Sequence, residues 1–475
     1  MTNLSDAVRR VLRMAVDTYR DQPHAAHLLR RELARLDEPL RVAIAGKVKA
    51  GKSTLLNALV GEAIAPTDAG ECTQVVTWYR DGPSPKIVLH PKEGLPTPLP
   101  VVRRNGALEF DLRGTPAEQV DRLVVDWPAQ SLRGTTLIDT PGIASISTET
   151  ARRTVRFLEP EDDTPTEADA VVYLMRHLHA TDTEFLESFR DQGVASATAV
   201  NTVAVISRAD EIGGGRVDAM FSARAIAGRY RAEPALRGLC QNVVAVAGLL
   251  AHTGRTLRQS EFLALTDLAG KPREDLEAAL LSADRFAHAD EERRDLLRRF
   301  GMFGIRLAAT LIRQGVTAPA ALADELVGRS GLHELQHVLH TQFSQRRDLL
   351  KARSALLAVE SLLRASPNSR LAGEVERILA GTHEFAELRL LTALRSGVVS
   401  LPRAVSAEAE RLLGDNGIAP ETRLGLPPGV DRAELHRAAF AALRHWQRHA
   451  ENPMFGRRAS DACRVVVRTC EGLLH

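Results

Sequence analysis

The stretch Gly46-Lys-Val-Lys-Ala-Gly-Lys-Ser-Thr54 decides the fold class of this chain. It matches the spacing G-x-x-x-x-G-K-[ST] without a mismatch. The apolar run Arg41–Ala45 before it is typical of a buried strand, and Leu55–Leu59 after it is typical of the first turns of a helix. A glycine loop between a strand and a helix can wrap its backbone N–H groups around a phosphate. The sequence therefore predicts an α/β fold whose P-loop binds a nucleoside triphosphate, with an ordinary glycine-rich turn as the alternative.

Each residue of this loop is a candidate for contact with the nucleotide. The candidates are Gly46, Lys47, Val48, Lys49, Ala50, Gly51, Lys52, Ser53 and Thr54. Lys52 can reach the outer phosphates, and the Ser53 hydroxyl can ligate Mg²⁺. Three of the few lysines in the chain lie in this loop, which indicates that a compact ammonium is favoured there over a guanidinium.

The overall composition excludes several function classes. A chain of 475 residues can hold two or more structural units, and its net charge of +2 gives no general attraction to nucleic acid. No apolar run is long enough to span a bilayer, and Met1–Asp6 lacks the basic and apolar regions of a secretory signal. The four cysteines have no metal-binding spacing and suit a reducing compartment. These features predict a cytoplasmic protein that does not bind nucleic acid.

A threonine in the loop after the P-loop helix is a candidate for sensing the γ-phosphate. Thr73 lies in a turn-rich segment that runs into a β-branched strand. From there its hydroxyl can bind Mg²⁺ and its carbonyl can hold the attacking water. Thr77 is the alternative, although it lies further into the strand.

The segment Leu137–Gly142 is predicted to be a strand that ends in D-x-x-G. Asp139 can then hold Mg²⁺ through a water, and the Gly142 N–H can contact the γ-phosphate. The next residue, Ile143, has no polar side-chain atom and cannot orient a water. Another group must do so, or the intrinsic turnover is slow.

The segment Asn201–Asp210 is predicted to be a further strand, which ends in S-R-A-D in place of the usual N-K-x-D. Asp210 can accept hydrogen bonds from guanine, and the stem of Arg208 can lie over the base. Ser207 weakens the match, and a strand that is merely capped by an aspartate is the alternative. Val243–Gly248 is predicted to be the last strand with a base-contacting turn. The candidates for base contacts are Ser207, Arg208, Asp210, Val246 and Ala247.

These motifs resemble those of the dynamin superfamily, and specifically of the bacterial dynamin-like proteins. The resemblance rests on G-K-V-K-A-G-K-S-T-L-L-N-A-L, P-T-D-A-G-E-C-T, D-T-P-G-I and S-R-A-D, and it covers about residues 41–250. Ala168–Asp182 and Arg299–Arg306 are most similar to the isoniazid-inducible dynamin-like proteins of mycobacteria and related actinobacteria.

The resemblance implies a dynamin-type GTPase domain with an all-helical neck and stalk. It implies Mg²⁺-dependent hydrolysis of GTP to GDP, a homodimer formed through the nucleotide face, and binding or remodelling of membrane. The expected catalytic residues are Lys49, Lys52, Thr73 and Gly142, and the expected metal-binding residues are Ser53, Thr73 and Asp139. In eukaryotic dynamins a P-loop serine helps to place a charge-compensating cation. Lys49 occupies that position here, and its ammonium could replace the cation or point away.

Two other function classes stay open at this point. One is a regulatory GTPase switch that binds a paralogous dynamin-like partner without lipid contact. The other is a membrane-remodelling ATPase, because one eukaryotic branch of the superfamily binds adenine nucleotide despite similar motifs. The membrane interpretation predicts a peripheral location on the inner face of the plasma membrane, on an anionic lipid surface.

The remainder of the chain has helical periodicity. The expected units are N-terminal helices that pack on the stalk (1–36), the GTPase domain (37–255), its helical extension (256–330) and the neck and stalk (331–475). Leu332–Ser366 is predicted to be one helix, and the segment 414–430 is predicted to be a connector without helix. The arginines of the C-terminal helices could face solvent or anionic lipid.

Overall fold

A mixed β-sheet forms the centre of the molecule. The computed structural model describes residues 4–67, 75–104, 106–142, 167–188, 201–288 and 290–474. The strands are β1 Leu40–Gly46, β2 Val76–Asp81, β3 Lys86–Pro91, β4 Thr97–Leu99, β5 Val102–Arg104, β6 Ala107–Glu109, β7 Val120–Trp127, β8 Thr135–Asp139, β9 Ala170–Met175, β10 Thr202–Ile206 and β11 Asn242–Ala245. Within the described ranges, nine of them form one sheet in the order β11-β10-β9-β1-β8-β2-β7-β3-β4, and β5 pairs with β6.

The strands from β11 to β8 run parallel, and β2 joins β8 in the antiparallel direction. Alternate residues of β1 enter two apolar cores, Ala43 and Ala45 on one face and Val42 and Ile44 on the other. Burial on both faces explains why these strands are almost continuously apolar. The predicted mainly parallel α/β sheet is therefore found, with antiparallel strands added on one side.

Helices account for most of the remaining structure. They are α1 Leu4–Thr18, α2 Pro23–Arg35, α3 Lys52–Val60, α4 Ala180–Ser188, α5 Ala219–Ala232, α6 Pro234–Arg237, α7 Gly248–Arg255, α8 Gln259–Gly270, α9 Arg273–Ala279, α10 Ala283–Ala287, α11 Glu291–Arg313, α12 Pro319–Arg329, α13 Leu332–Leu339, α14 Arg347–Ala365, α15 Ser369–Gly381, α16 His383–Arg395, α17 Arg403–Leu412, α18 Pro420–Leu424, α19 Arg432–Ala450 and α20 Arg457–Gly472. None of the helices in the described ranges is both long and apolar enough to cross a lipid bilayer.

The helices outside the sheet form two separate apolar cores. In the first, α1 and α2 pack on α14 and α15, so segments from both ends of the sequence meet. In the second, α16, α17, α19 and α20 pack around the fully buried Trp446 and Cys463. The helices from α8 to α12 share an apolar core with the sheet. The domain boundaries themselves stay a prediction.

A buried ion pair joins the first helical bundle to the sheet. The Arg35 guanidinium lies 2.6 Å from the Asp169 carboxylate just before β9, and both side chains are almost fully buried. Asp169 also accepts a hydrogen bond from the Arg41 N–H at 2.9 Å. Lys351 of α14 donates to the Arg35 carbonyl at 2.5 Å, and burial lowers the pKa of its ammonium to about 8.

The second bundle meets the sheet side of the molecule through polar contacts. Arg237 lies 2.9 Å from Glu410, and Arg395 donates to the Gln241 side chain at 2.7 Å. These pairs border an open cleft of about 750 Å³.

Two predictions of helical structure are wrong. Leu332–Ser366 is not one helix, because a wide turn over His340–Ser344 interrupts it. The buried side chains of Gln342 and Arg346 in and beside this turn donate hydrogen bonds to backbone carbonyls of the segment 414–417. Helices are commonly interrupted where side chains make polar contacts of this kind.

The segment 414–430 is not free of helix either, since it contains the one-turn helix Pro420–Leu424. Pro420 begins it with a φ suited to the first turn, and Gly425 ends it in the left-handed conformation. Proline and glycine at these two positions are the signal that predicts such a turn.

Candidate nucleotide site

The chain turns sharply at the carboxyl end of β1. Gly46 has a φ of +147°, and a Cβ there would lie 2.5 Å from the Leu174 carbonyl oxygen of the neighbouring strand β9. Only glycine allows this close approach. Lys49 and Gly51 also have positive φ values, of 61° and 92°, and Gly51 caps α3. The loop thus runs from a buried strand into a helix N-terminus, as the motif predicts.

Lys52 lies in the first turn of α3 and is buried. Its Nζ donates to the carbonyl oxygens of Gly46 and Lys47 at 3.3 and 3.4 Å. Burial lowers the pKa of the Lys52 ammonium, and Asp139 opposes that change. Since both hydrogen bonds are at the long end of the usual range, phosphate oxygens can replace them at small cost.

The other two lysines of the loop have different surroundings. Lys47 is half-exposed, and its Nζ lies 3.0 Å from the buried Asp182 carboxylate. Lys49 is exposed, and its ammonium makes no ion pair with any residue that the structure describes.

Ser53 and Asp139 form a pair of oxygen donors below the loop. The Ser53 hydroxyl donates to Asp139 Oδ2 at 2.7 Å. Among the described residues, no group hydrogen-bonds to the buried Asp139 Oδ1. Burial raises the pKa of the Asp139 carboxyl, while Lys52 and Ser53 oppose that change. A carboxylate with a spare buried oxygen beside a hydroxyl fits Mg²⁺, which prefers oxygen ligands and keeps several waters.

The D-x-x-G segment packs directly against the P-loop. Both the N–H and the hydroxyl of Thr140 donate to the Ile44 carbonyl, at 3.3 and 3.0 Å. A Cβ on Gly142 would lie 2.7 Å from Val48 Cγ2, so this position accepts only glycine. Thr73 and Ile143 lie outside the described residues.

The S-R-A-D segment follows β10 at the same edge of the sheet. The Ser207 N–H and hydroxyl both donate to the Met175 carbonyl, at 2.8 and 3.3 Å. The Arg208 guanidinium pairs with Glu211 at 2.6 Å. Asp210 is buried, and this burial raises the pKa of its carboxyl.

One cavity of about 150 Å³ connects these segments. It is lined by Ala50, Gly51, Thr54, Leu55, Leu174, Val205, Ser207, Arg208, Asp210, Glu211, Val246, Gly248 and Leu249. The P-loop and the S-R-A-D segment, about 150 residues apart in sequence, therefore line the same cavity. Of the predicted nucleotide contacts, Ala247 and the P-loop residues Gly46, Lys47, Val48, Lys49, Lys52 and Ser53 do not line this cavity. Ala247 is fully buried, and its N–H donates to the Ser330 carbonyl at 2.9 Å.

Sequence reasoning missed part of the surroundings of Asp210. Gly301 interrupts α11 with a φ of 62°, and a Cβ there would lie 3.6 Å from Leu249 and 3.9 Å from Asp210 Oδ2. Arg306 donates to the Gly215 carbonyl at 2.8 Å and to the Leu280 carbonyl at 2.7 Å. The helical extension thus forms a wall beside Asp210. Two glycines within a helical pattern, at 301 and 304, are the signal that could have indicated it.

Comparison with known proteins settles the family. Residues 42–206 match the model of the dynamin family. The chain is 44% identical over 489 residues to the isoniazid-induced protein IniC of Mycobacterium tuberculosis, and the alignment covers 99% of this chain and 98% of IniC. This chain is a bacterial dynamin-like protein of the IniC type. The family resemblance in the motifs is thereby confirmed, and so is the α/β GTPase fold with a largely helical C-terminal region.

Two more distant similarities cover less or are weaker. A bacterial dynamin-like protein of Nostoc punctiforme is 33% identical over 115 residues, which is 22% of this chain and 16% of that protein. A chain from a solved oligomerised bacterial dynamin pair aligns with 99% of this chain and 79% of its own length, at 13% identity and a TM-score of 0.33. That score is too low to support a conclusion. Members of the dynamin family are GTPases that typically use Mg²⁺.

Proposed function

We propose that this dynamin-like protein hydrolyses GTP to GDP and phosphate, and that it couples nucleotide-dependent dimerisation to the binding or remodelling of membrane. The observation that carries the proposal is that one cavity is lined both by the P-loop residues Ala50, Gly51 and Thr54 and by Asp210. Lys52 and the Ser53–Asp139 pair lie in the adjoining part of the loop. A guanine nucleotide needs cationic and N–H groups near its phosphates and an acceptor near its base.

At the phosphate end, the loop N–H groups and Lys52 neutralise the negative charge of the phosphates. Charge stabilisation of this kind supplies most of the catalysis of phosphoryl transfer. Ser53 would bind Mg²⁺ directly and Asp139 would bind it through a water; the ion, when bound, neutralises the β- and γ-phosphate oxygens. The Gly142 N–H and Thr73 are the groups that we assign to the γ-phosphate and the attacking water.

At the base end, an ionised Asp210 accepts hydrogen bonds from the N1–H and the exocyclic amine of guanine. Adenine has no N1–H, so the same carboxylate would face an acceptor. This difference supports GTP over ATP as the substrate, because a buried polar group left without its partner loses its full solvation free energy.

We assign the assembly step to the nucleotide face. Ile143 carries no polar atom that could orient the water, so a second GTPase domain brought against this face would complete the site. The membrane role places the protein in the cytoplasm, peripherally on an anionic lipid surface.

The proposal is tested in two steps with the full-length protein. In the first, phosphate release is measured with GTP and Mg²⁺, and ATP is added as a competitor. We expect hydrolysis of GTP that excess ATP does not suppress. Equal competition by ATP would favour the membrane-remodelling ATPase.

In the second step, flotation with liposomes of phosphatidylglycerol and phosphatidylethanolamine is compared with and without GTP. We expect flotation that depends on nucleotide. A GTPase that never floats with these liposomes would contradict the membrane role and would favour the switch that binds a paralogous partner.

A further inference from the structure

A buried carboxylate next to the P-loop has three donors that converge on it. Asp182, in the first turn of α4, is 1% exposed. It accepts hydrogen bonds from the Tyr173 hydroxyl at 2.8 Å and from the His179 N–H at 3.0 Å. Its third donor is the Lys47 ammonium at 3.0 Å, and Lys47 is the first variable residue of the P-loop.

We infer that Asp182 is a positioning residue for the P-loop, because it fixes the Lys47 side chain away from the phosphate path and thereby sets the place of Lys52. This inference rests on the proposed GTPase function. Nothing in the sequence motifs assigns Asp182 a part in the site, since it lies 136 positions after Gly46.

The topology explains why these two residues meet. β1 and β9 are parallel neighbours, with Gly46 opposite Leu174, so the segments that follow the two strands leave the sheet at the same edge. Lys47 is the first residue beyond β1, and the segment from Arg176 to Asp182 follows β9. The Lys47–Asp182 pair is therefore a side-chain link between the P-loop and the first turn of α4, which follow two adjacent parallel strands.

The link reaches Lys52 through the backbone of Lys47. The Lys47 carbonyl accepts hydrogen bonds from the Ala50 N–H at 3.1 Å and from Lys52 Nζ at 3.4 Å. A shift of Lys47 would therefore move an acceptor of the lysine that we assign to the phosphates. Misplacement of a catalytic group by about 1 Å can cost roughly 100-fold in rate.

Charge also favours this role over direct phosphate binding by Lys47. The Asp182 carboxylate neutralises the Lys47 ammonium, and its buried position leaves little solvent to compete for the pair. Lys49, by contrast, is exposed and is paired with no described residue. Of the two, Lys49 is the one whose charge is available to the nucleotide.

Four variants distinguish the two roles of Lys47. They are Asp182→Asn, Lys47→Met, the double variant and Lys47→Arg, with Glu277→Gln as a control in the exposed Arg273–Glu277 pair. Tyr173 and His179 donate to different oxygens of Asp182, so the one amide oxygen of Asn can keep only one of these two hydrogen bonds. Lys47→Met removes the Lys47–Asp182 pair and leaves both of them in place. Thermal melting of each variant checks that it folds.

If Asp182 positions the loop, each of the two single neutral variants lowers kcat for GTP about tenfold with a smaller change in KM. The double variant is then no slower than the slower single variant, and Lys47→Arg keeps most of the rate. If instead Lys47 binds phosphate directly, Lys47→Met weakens GTP binding while Asp182→Asn strengthens it, and the effects add. That second pattern would overturn the inference.

A measurement without nucleotide separates this inference from the proposed function. The ligand-free protein is acetylated with a limiting amount of acetic anhydride, and modification of Lys47 is compared with that of Lys49 by mass spectrometry. Asp182→Asn should raise the Lys47 to Lys49 ratio several-fold, while Glu277→Gln leaves it unchanged. An unchanged ratio in Asp182→Asn would refute the link whatever the activity. A raised ratio in a protein that never hydrolyses GTP would refute only the proposed function.

Discussion

The two ends of the candidate nucleotide site are built in different ways. The phosphate end is local: Lys52 hydrogen-bonds to the carbonyls of Gly46 and Lys47, six and five residues before it. The strand β8, which pairs with β1, adds Asp139, and its carboxylate accepts a hydrogen bond from the Ser53 hydroxyl. This end therefore depends on a short stretch of chain and on one strand pairing.

The base end depends on contacts between distant segments. Ser207 is held by the Met175 carbonyl, and the Val246 carbonyl accepts the Ala209 N–H at 3.3 Å. The wall beside Asp210 comes from α11, about 90 residues further along the chain. Under the proposed function, phosphate binding is therefore encoded in a contiguous motif, whereas the choice of the base depends on how the helical extension packs.

The largest effect is expected at the phosphate end. Lys52→Ala should lower GTP turnover by at least about 100-fold and should weaken nucleotide binding, because the buried phosphates lose their main counter-charge. Phosphate release and the fluorescence of a labelled nucleotide measure the two effects. Lys271→Ala, which removes an ammonium 3.9 Å from Asp267 on the surface, is the matched control and should have little effect. Near-normal turnover of Lys52→Ala would mean that the phosphates bind elsewhere.

The next largest effect is expected at the base end. Asp210→Asn should weaken GTP binding roughly 10- to 100-fold, because an amide donor then faces the donors of guanine. Xanthosine triphosphate should gain affinity, since its C2 carbonyl can accept from that amide. The affinities of GTP and of xanthosine triphosphate are measured by titration for the unmodified protein and for Asp210→Asn. Asp218→Asn, on an exposed carboxylate paired with Arg216, is the control. If Asp210→Asn weakens both nucleotides equally, Asp210 does not contact the base.

The phosphate end was predictable from sequence because its geometry is produced by a few backbone torsions in one loop. The glycine spacing requires the positive φ of Gly46 and Gly51, and the structure has both. The strand-to-helix change on either side follows from the apolar pattern. Asp139 was also predictable, since a D-x-x-G segment after a strand lies at the same sheet edge as the P-loop.

The base end was predictable only in part, for the opposite reason. Asp210 has a motif, but Leu249 and Gly301 are recognised only once α7 and α11 are seen to pack beside it. The same limit applies to the wide turn that separates α13 from α14, beside which Arg346 donates a hydrogen bond to the Gly414 carbonyl, 68 residues away. Helical periodicity reports which face is buried and gives no information on such polar contacts.

A smaller effect is expected for Lys49, which lies at the phosphate end but contacts no described partner. Lys49→Ala should lower kcat several-fold with little change in GTP affinity, because a second cation near the phosphates stabilises the transition state more than the ground state. The loss should be greatest at high protein concentration, where the proposed dimers through the nucleotide face would form. Turnover is measured across a concentration series for the unmodified protein and for Lys49→Ala. Equal losses at every concentration would place Lys49 in the monomeric site only.

The smallest effect is expected from pH, and it separates the two ends by their carboxylates. Burial raises the pKa of Asp210 above its usual value of 3.8, whereas guanine hydrogen-bonds to the charged form and would lower it again. Binding of GTP therefore releases a proton in that range, so affinity should be lost as the pH falls through the raised pKa and should level off above it. Asp139 has a raised pKa too, and EDTA removes the part of its contribution that acts through Mg²⁺. Because the γ-phosphate of GTP also loses a proton between about pH 4.5 and pH 7.5, the contribution of Asp210 is the difference between the titrations of the unmodified protein and of Asp210→Asn, both in EDTA. Asp210→Asn has no group that titrates at this position and should show a flatter profile. If the two profiles coincide, the acid loss comes from the phosphate end, and the base end does not sense protons at all.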